Sequence, residues 1–301
     1  MSHSHHSTYA HDIWHGTVKV TANVQIARDT FRIRFGCPDI ARRIVPGQFL
    51  MLRLAGYNDP LLGRPLALYD VADGSPASGR SETASYDQSP TAIDIVYLVV
   101  GKMTGLLTTL RPDSPLEVWG PLGNGFPPEP AEHLLMVAGG IGQTPFLALG
   151  RECLGRQTYG DPPRQVAQAR KVTLCYGARR AEYLAGVADF ERAGVEVRLS
   201  TDDGSAGHRG LVTELIRPAV EQAAMPCRIV ACGPEPMLAA AARVAKELGI
   251  PCQVTLESPM ACGIGACFSC VIKIRDAAGG WDYRRSCVEG PVFEAEDVEF
   301  S

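Results

Sequence analysis

Four cysteines near the C-terminus combine a residue type and a spacing that can hold metal. Cys262, Cys267 and Cys270 follow a C-x4-C-x2-C pattern, and Cys287 lies 17 positions after the third. This is the plant-type arrangement in which four thiolates hold two irons bridged by two sulfides. Structural zinc, the main alternative, usually takes C-x2-C pairs. The sequence therefore predicts a 2Fe-2S cluster, and the two glycines in the first gap allow backbone amides to approach the sulfurs.

The other six of the ten cysteines are scattered singly along the chain. Free cysteine commonly behaves as a small buried hydrophobic residue, and a reducing cytosol disfavours disulfides. Since an iron-sulfur cluster passes single electrons, the rest of the chain must give or take them, which directs attention to a flavin. The cysteines expected to be mainly buried and structural are Cys37, Cys153, Cys175, Cys227, Cys232 and Cys252.

A glycine-rich turn, AGGIGQTP at 138–145, follows an apolar strand pattern and opens a helical one. Backbone amides and the helix dipole at such a turn can hold a diphosphate, which makes Gly139, Gly140, Gly142 and Thr144 candidate nucleotide-binding residues. The third glycine of a strict G-x-G-x-x-G fingerprint would fall on Pro145, so that fingerprint fails. Thr144 as the helix cap and Pro145 at the first helical position explain the difference. The alternative is a strand-to-helix turn without a ligand.

A second turn, CGPEPM at 232–237, also follows a strand and opens a helix. Pro236 suits the first turn of that helix and Gly249 suits its end. The carboxyl edge of a parallel sheet is where ligands usually bind. Cys232 and Gly233 are therefore candidate residues of the same nucleotide crevice, although this turn too has a purely structural alternative.

The elements around these motifs change in character along the chain, whose 301 residues suggest two domains with a third if one is small. Short β-branched segments before residue 130 predict an antiparallel barrel, and the strand-helix alternation that follows predicts a parallel α/β sheet. The fold class expected is thus multidomain β plus α/β. The predicted parts are a flexible tail at 1–15, a barrel at 16–130 with an insertion at 72–90, an α/β domain at 131–251 and a cluster subdomain at 252–301.

Charge and hydropathy exclude several partners. The 29 Lys and Arg residues against 33 Asp and Glu residues give a net charge of −4, so no basic excess is available for nucleic acid. The apolar runs fall short of the roughly 18 residues that cross a bilayer, and the His-rich start does not resemble a signal peptide. We expect a cytoplasmic enzyme or carrier with no nucleic-acid partner and no membrane span.

These motifs together resemble one family over about residues 16 to 298. The segment RPLA at 64–67 resembles the R-P-x-S flavin motif, and AGGIGQTPF and ACGPEPM resemble the nicotinamide-binding motifs of ferredoxin reductases. The most specific match is ESPMACGIGACFSCVIK at 257–273, which is similar to the cluster loop of dihydroorotate dehydrogenase B electron transfer subunits. The resemblance implies a flavin-binding barrel, a pyridine nucleotide domain, a C-terminal 2Fe-2S subdomain, and FAD between the first two.

The resemblance also implies which residues meet the cofactors. Cys232 would lie near the nicotinamide. The residues expected at FAD are Arg64, Pro65, Leu66, Ala67, Val96, Tyr97, Leu98, Met103 and Thr104.

Some of these residues have ordinary alternatives, and two depart from the family pattern. Arg64 could form a surface ion pair, Tyr97 could pack in the barrel, and Thr104 could serve a turn. Ala67 stands where the family usually has Ser, and Met103-Thr104 stands where it usually has Gly-Thr.

The function implied by the resemblance is an electron relay in pyrimidine biosynthesis. A catalytic dihydroorotate dehydrogenase subunit would send electrons through the cluster and FAD to NAD. The implied assembly is a heterotetramer of two catalytic subunits and two copies of this chain. Two alternatives remain: a reductase serving ferredoxin, a hydrogenase or an oxygenase, and a non-enzymatic redox sensor. NAD rather than NADP is implied by the resemblance alone. Arg179 and Arg180 follow a strand where the 2′-phosphate of NADP could bind, although paired arginines on a surface loop are usually only solvated.

Overall fold

The computed structural model describes residues 12–73, 89–276 and 279–300. Most of the predicted tail and residues 74–88 of the predicted insertion lie outside these ranges. The described residues form two seven-stranded sheets and one two-stranded hairpin. This architecture confirms the expected fold class.

The first sheet is antiparallel throughout, with the order β4-β3-β7-β1-β2-β6-β5. Burial alternates along β7, as expected of a strand with one face on a core. The strands are β1 (Trp14–Ala27), β2 (Thr30–Gly36), β3 (Phe49–Leu54), β4 (Arg64–Ala67), β5 (Asp70–Ala72), β6 (Ala92–Leu98) and β7 (Pro115–Leu122).

The two edge strands of this sheet, β4 and β5, are consecutive in the chain, so the sheet curls back on itself. Leu68 N donates to Gln48 O at 3.0 Å beside β3, and Tyr69 N donates to Asp94 O at 3.0 Å on β6. The predicted antiparallel barrel is thus a half-barrel: its edge strands β4 and β5 are connected through residues 68 and 69 of the chain and do not pair with each other by a ladder of hydrogen bonds. The strand-like segments of the sequence did not include β4. This strand contains Pro65, and a proline is tolerated there because β4 lies at the edge of the sheet.

The second sheet is parallel except for its last strand, with the order β11-β10-β9-β8-β12-β13-β16. The chain leaves β8 toward one side and later returns to its other side, so the strand order reverses between β8 and β12. The strands are β8 (His133–Gly139), β9 (Lys171–Ala178), β10 (Glu196–Thr201), β11 (His208–Arg209), β12 (Cys227–Cys232), β13 (Cys252–Thr255) and β16 (Val292–Glu294).

Pairing in this sheet corrects one predicted boundary. Residue 252 was expected to open the cluster subdomain, yet β13 pairs parallel with β12, and β16 pairs antiparallel with β13. Both strands therefore belong to the second sheet, and the cluster segment is a long connection between them. It contains the hairpin β14 (Val271–Arg275) and β15 (Trp281–Arg285).

Six α-helices occur in the described residues, and two of them bear on the predicted caps. The helix α6 ends at Gly249 with φ +66°, as predicted. The prediction that Thr144 caps α3 is wrong, because Gly140–Gln143 coils into a 3-10 helix and α3 begins only at Phe146, without a side-chain cap. The helices are α1 (Pro38–Ala41), α2 (Lys102–Leu107), α3 (Phe146–Cys153), α4 (Val187–Arg192), α5 (Ile216–Ala223) and α6 (Glu235–Leu248).

Buried polar contacts join the barrel to the second sheet's helices. The Asp70 carboxylate on β5 accepts the Tyr159 hydroxyl at 2.8 Å and is paired with Arg151 of α3. Tyr69 OH donates to Asp189 of α4 at 2.8 Å. Since a buried charge is costly unless paired, these contacts hold the two sheets in one relative position.

His133 at the start of β8 provides a test of this packing. The ring is fully buried, Nε2 lies 2.9 Å from Thr173 Oγ1, and burial lowers the pKa of His133 to about 4. In the unfolded chain His133 binds a proton near pH 6.5, whereas in the folded chain it does so only near pH 4. The free energy of unfolding must therefore fall as the pH drops from 6.5 to 4.

We expect His133→Gln to remove roughly 3 kcal/mol of the loss in unfolding free energy between pH 7 and pH 4. Denaturant titrations at several pH values measure this. His208→Gln is the matched control, because His208 is exposed on the short edge strand β11 beside Glu214. Identical pH slopes in the two variants would contradict the assignment.

Candidate cofactor clefts and cluster site

A cleft of about 930 Å³, the barrel cleft, opens between the half-barrel, the second sheet and the cluster segment. The structure brings together there all nine residues expected at FAD, together with Thr144 and Cys232. Met260, Ala261 and Ser269 of the cluster segment line the same cleft. Three separate stretches of the chain therefore enclose one space.

Arg64 and Thr104 lie at this cleft, and both side chains form hydrogen bonds with nearby backbone groups. The exposed Arg64 guanidinium donates to the carbonyls of Leu62 at 3.0 Å and Gly63 at 3.1 Å, in the segment directly before β4. Thr104 Oγ1 accepts the amides of Val100 at 3.0 Å and Gly101 at 3.1 Å. The turn role of Thr104 is thus present in the structure, and its contact with a phosphate stays a prediction.

The side chain of Tyr97 belongs to the barrel core. It is fully buried, stacks on Phe31 with ring centroids 5.8 Å apart, and donates its hydroxyl to Asn23 Oδ1 at 3.2 Å. Burial raises the pKa of Tyr97 to about 12. The barrel-packing alternative therefore describes this side chain. Met103 is likewise buried in the barrel core, whereas Ala67 is only half-buried at the cleft.

A second cleft of about 750 Å³, the nucleotide cleft, lies where the strand order reverses between β8 and β12. Gly139, Gly140, Gly142 and Gly233 line it, as expected for the carboxyl edge of a parallel sheet at a switch point. Sequence reasoning missed Ser200 and Asp202, although both lie at the carboxyl end of a strand pattern. The Ser200 hydroxyl is buried and has no hydrogen-bond partner among the described residues.

The two glycine turns pack directly against each other. A Cβ on Gly142 would lie 2.2 Å from the Cys232 carbonyl oxygen, and one on Gly233 would lie 3.0 Å from Gly139 N. Gly140 has φ +56° with open space around its Cβ direction. Glycine is therefore required by close backbone approach at Gly142 and Gly233, and by the left-handed conformation at Gly140.

The two clefts adjoin, because Leu98, Ile141 and Glu257 line both. Glu257 is exposed where the two clefts meet, and partial desolvation by the surrounding protein raises the pKa of its carboxyl. Sequence reasoning did not select Glu257, although it is the first residue of the cluster-loop match at 257–273. The Glu257 side chain therefore lies where a ligand in the barrel cleft would contact a ligand in the nucleotide cleft.

The four cluster cysteines are arranged as two pairs. Cys270 and Cys287 are buried with their sulfurs 3.2 Å apart, whereas Cys262 is half-buried and Cys267 is exposed. Within the described residues, no three metal-ligating side chains converge to hold one ion. Two pairs suit two irons that take two thiolates each better than a single tetrahedral zinc, so the donor set fits a 2Fe-2S cluster.

The surroundings of these sulfurs differ. Hydrogen bonding from Ser269, and to a smaller extent from Cys262, lowers the pKa of Cys267 to about 6. Burial and the neighbouring Cys270 raise the pKa of Cys287 to about 12, against the Gly265 amide, which lowers it. Cys267 is thus ready as thiolate at the surface, and Cys287 favours the thiol until metal supplies the positive charge.

Glycines and a tryptophan fix the cluster loop on the barrel. Gly263 and Gly265 have φ of +73° and +80°, and Ile264 N donates to Cys262 Sγ at 3.4 Å. A Cβ on Gly263 would lie 2.6 Å from Met51 of β3. Trp119 Nε1 donates to the Cys262 carbonyl at 2.9 Å. The expected approach of loop amides to the sulfurs is confirmed.

The six scattered cysteines lie apart from this loop. Cys227 is half-buried, and the other five are buried. Burial is the main cause that raises the pKa of Cys232, which lines the barrel cleft, to about 12. The expectation of mainly buried thiols is confirmed.

Comparison with known proteins matches both halves of this arrangement. Residues 257–299 match the iron-sulfur cluster binding domain of dihydroorotate dehydrogenase B, and residues 136–243 match the oxidoreductase NAD-binding domain. The dihydroorotate dehydrogenase B (NAD(+)) electron transfer subunit of Desulforamulus reducens is 34% identical over 93% of this chain and 96% of its own. The corresponding subunit of Caldanaerobacter subterraneus is 32% identical over 95% and 99%.

This chain belongs to the family of dihydroorotate dehydrogenase B electron transfer subunits. Solved structures agree in fold. The NADH-dependent reduced ferredoxin-NADP oxidoreductase superposes with a TM-score of 0.73 at 27% identity, covering 94% of this chain and 90% of that one. The ferredoxin reductase of carbazole 1,9a-dioxygenase gives a TM-score of 0.61 at 20% identity, covering 79% and 67%, and supports the fold alone.

The contact between the two glycine turns gives a second test. We expect Gly142→Ala to lower the free energy of unfolding by roughly 1–3 kcal/mol, because the new methyl group meets a backbone carbonyl that cannot rotate away. Chemical denaturation measures this loss. Gly36→Ala is the matched control, since its Cβ would meet nothing within 4 Å. Equal stability of the two variants would show that the turns can separate freely.

Proposed function

We propose that this chain couples a dihydroorotate-oxidising catalytic subunit to NAD, as the electron transfer subunit of a dihydroorotate dehydrogenase. The observation that carries the proposal is that the cluster segment forms a wall of the barrel cleft through Met260, Ala261 and Ser269. A cluster held by this segment would lie beside a flavin in the barrel cleft. The nucleotide cleft adjoins at Glu257 and Ile141.

The overall reaction balances without a further reactant. Oxidation of dihydroorotate to orotate releases two electrons and two protons, and NAD takes both electrons with one proton, leaving one for solvent. When bound, a 2Fe-2S cluster carries single electrons, and FAD exchanges both single electrons and hydride. The chain's own contribution is to hold these groups side by side and to limit water around them.

Named residues would perform these tasks. Cys262, Cys267, Cys270 and Cys287 would hold the cluster. Arg64 at the mouth of the barrel cleft would pair with the FAD diphosphate, for which its planar guanidinium is suited. The turns at 139–144 and 232–233 would hold the nucleotide, with Ile141 and Glu257 between the two ligands.

A reductase subunit serving ferredoxin is the second candidate, favoured by the 27% identity with the ferredoxin-NADP oxidoreductase. It uses the same clefts and differs in the partner. The curated relatives at 34% and 32% identity favour the dihydroorotate-linked role. A heterotetramer of two catalytic and two electron transfer subunits, and a cytoplasmic location, stay predictions. Among the described residues, every helix is too short or too polar to cross a membrane.

The relay can be tested by removing one cluster ligand. We expect Cys270→Ser to abolish dihydroorotate-dependent NADH formation in the complex with the catalytic subunit, and to lose iron and acid-labile sulfide. NADH-dependent reduction of ferricyanide should persist, because it needs neither the cluster nor the partner. Cys227→Ser, at a half-buried cysteine away from the loop, should leave all three readouts unchanged. Coupled activity that survives Cys270→Ser would refute the relay.

The choice of nucleotide can be tested at the end of β10. Asp202 and Arg179 both line the nucleotide cleft, where a carboxylate favours the ribose hydroxyl of NAD and an arginine tolerates a 2′-phosphate. Arg180 lies 3.5 Å from Glu182 and is engaged there. We expect NADH to be preferred, and Asp202→Asn to raise the ratio of NADPH to NADH kcat/KM about tenfold.

Asp203→Asn is the matched control, because it removes the same charge from the same turn. The Asp203 carboxylate accepts the Ser205 amide at 2.9 Å and hydroxyl at 2.6 Å within the loop. An equal change in both variants would mean that only general charge, and not a contact of Asp202, sets the preference.

A further inference from the structure

The outer face of the β14–β15 hairpin carries aromatic and cationic side chains. Side chains alternate along a strand, so Trp281, Tyr283 and Arg285 of β15 lie on one face. Strand pairing sets Lys273 opposite Tyr283 and Arg275 opposite Trp281 on that face.

These side chains form one continuous strip that reaches the cluster loop. The Trp281 and Tyr283 rings meet edge to face with centroids 5.3 Å apart, and Lys273 Nζ lies 4.3 Å from the Trp281 ring centre. At the other end, the Arg285 guanidinium carbon lies 5.1 Å from the ring centre of Phe268. We call the surface made by Phe268, Lys273, Arg275, Trp281, Tyr283 and Arg285 the outer strip.

Phe268 has an unfavourable position by two separate criteria. Its φ of +56° lies in the left-handed region that bulky residues rarely adopt, and its side chain is 61% exposed. It follows the exposed ligand Cys267 directly. Strained residues persist mainly where function retains them, and an exposed aromatic ring on such a residue gains little from its own chain.

The composition and size of the outer strip are those of an interface. Trp281 and Tyr283 are 50% and 57% exposed, and with Phe268 they present on the order of 300 Å² of aromatic surface. Aromatic residues and arginine are enriched at protein interfaces and at their energetic centres. The opposite face of the hairpin, with Ile272 and Ile274, packs on the chain's own core.

Charge indicates the chemistry of the partner. Lys273 and Arg285 already have acidic neighbours, Glu299 at 2.8 Å and Glu289 at 3.6 Å. Arg275 is exposed on the same face. A partner surface with apolar pockets for the rings and a carboxylate opposite Arg275 would complement the strip.

We propose that the outer strip is the docking surface for the dihydroorotate-oxidising catalytic subunit. The inference rests on the proposed function and adds where that subunit binds. The exposed ligand Cys267 lies directly beside Phe268, so a protein seated on the strip covers the open edge of the cluster. Because electron transfer slows steeply with distance, a partner that exchanges electrons with the cluster must bind at this edge.

The test uses the cofactor-loaded chain and the purified catalytic subunit. We expect Phe268→Gly, which suits the positive φ, and the double variant Trp281→Ala/Tyr283→Ala each to weaken the dissociation constant at least tenfold, measured by titration calorimetry. Coupled NADH formation should recover at high concentrations of the catalytic subunit. Cluster absorbance and NADH-dependent ferricyanide reduction should remain at the wild-type level. Tyr57→Ala, at a 46% exposed tyrosine of the barrel, is the control and should bind as wild type.

The outcomes separate this inference from the proposed function. Wild-type binding and coupled activity, with dissociation constants unchanged in both strip variants, would overturn the docking surface alone. Failure of the wild-type chain to bind the catalytic subunit or to couple dihydroorotate to NADH would overturn the proposed function. Loss of self-association in the strip variants, with unchanged affinity for the catalytic subunit, would assign the strip to a second copy and also overturn the inference.

Discussion

The seating of the cysteine loop on the half-barrel is the constraint on which the whole arrangement depends. Trp119 holds the Cys262 carbonyl, and Gly263 lies so close to Met51 that no side chain fits between loop and strand. The stretch that bears the thiolates therefore also closes the barrel cleft. If the loop lay elsewhere, a cluster and a flavin would each still have a site, but not within reach of each other.

The reversal of strand order between β8 and β12 imposes the second constraint. It leaves two strand ends side by side without a crossing connection above them, which is why ligands bind at such points. Here the turns that follow the two strands touch, with Gly142 against the Cys232 carbonyl. Their glycines thus serve backbone packing as well as access to a nucleotide, and a motif search attributes to the ligand what the neighbouring turn also requires.

Packing decided the role of two residues that the sequence singles out. Thr144 suits a helix cap by type, yet the preceding residues coil into a 3-10 helix and delay the start of α3. Tyr97 lies on a strand that lines the barrel cleft, but its side chain is committed to Phe31 and Asn23 in the barrel core. In both cases local propensity or family pattern identified the right segment, and packing decided what the side chain does.

Local pattern alone predicts the four cluster cysteines, the two glycine turns and the change from short β-branched strands to strand-helix alternation, because spacing and periodicity are properties of residues close together in the chain. The three-dimensional fold was needed to show that β13 and β16 complete the second sheet. It also decided that Glu257 stands between two clefts, and that Phe268 continues the aromatic face of the hairpin. Each of these facts joins residues far apart in the chain, and such contacts depend on packing that no local pattern records.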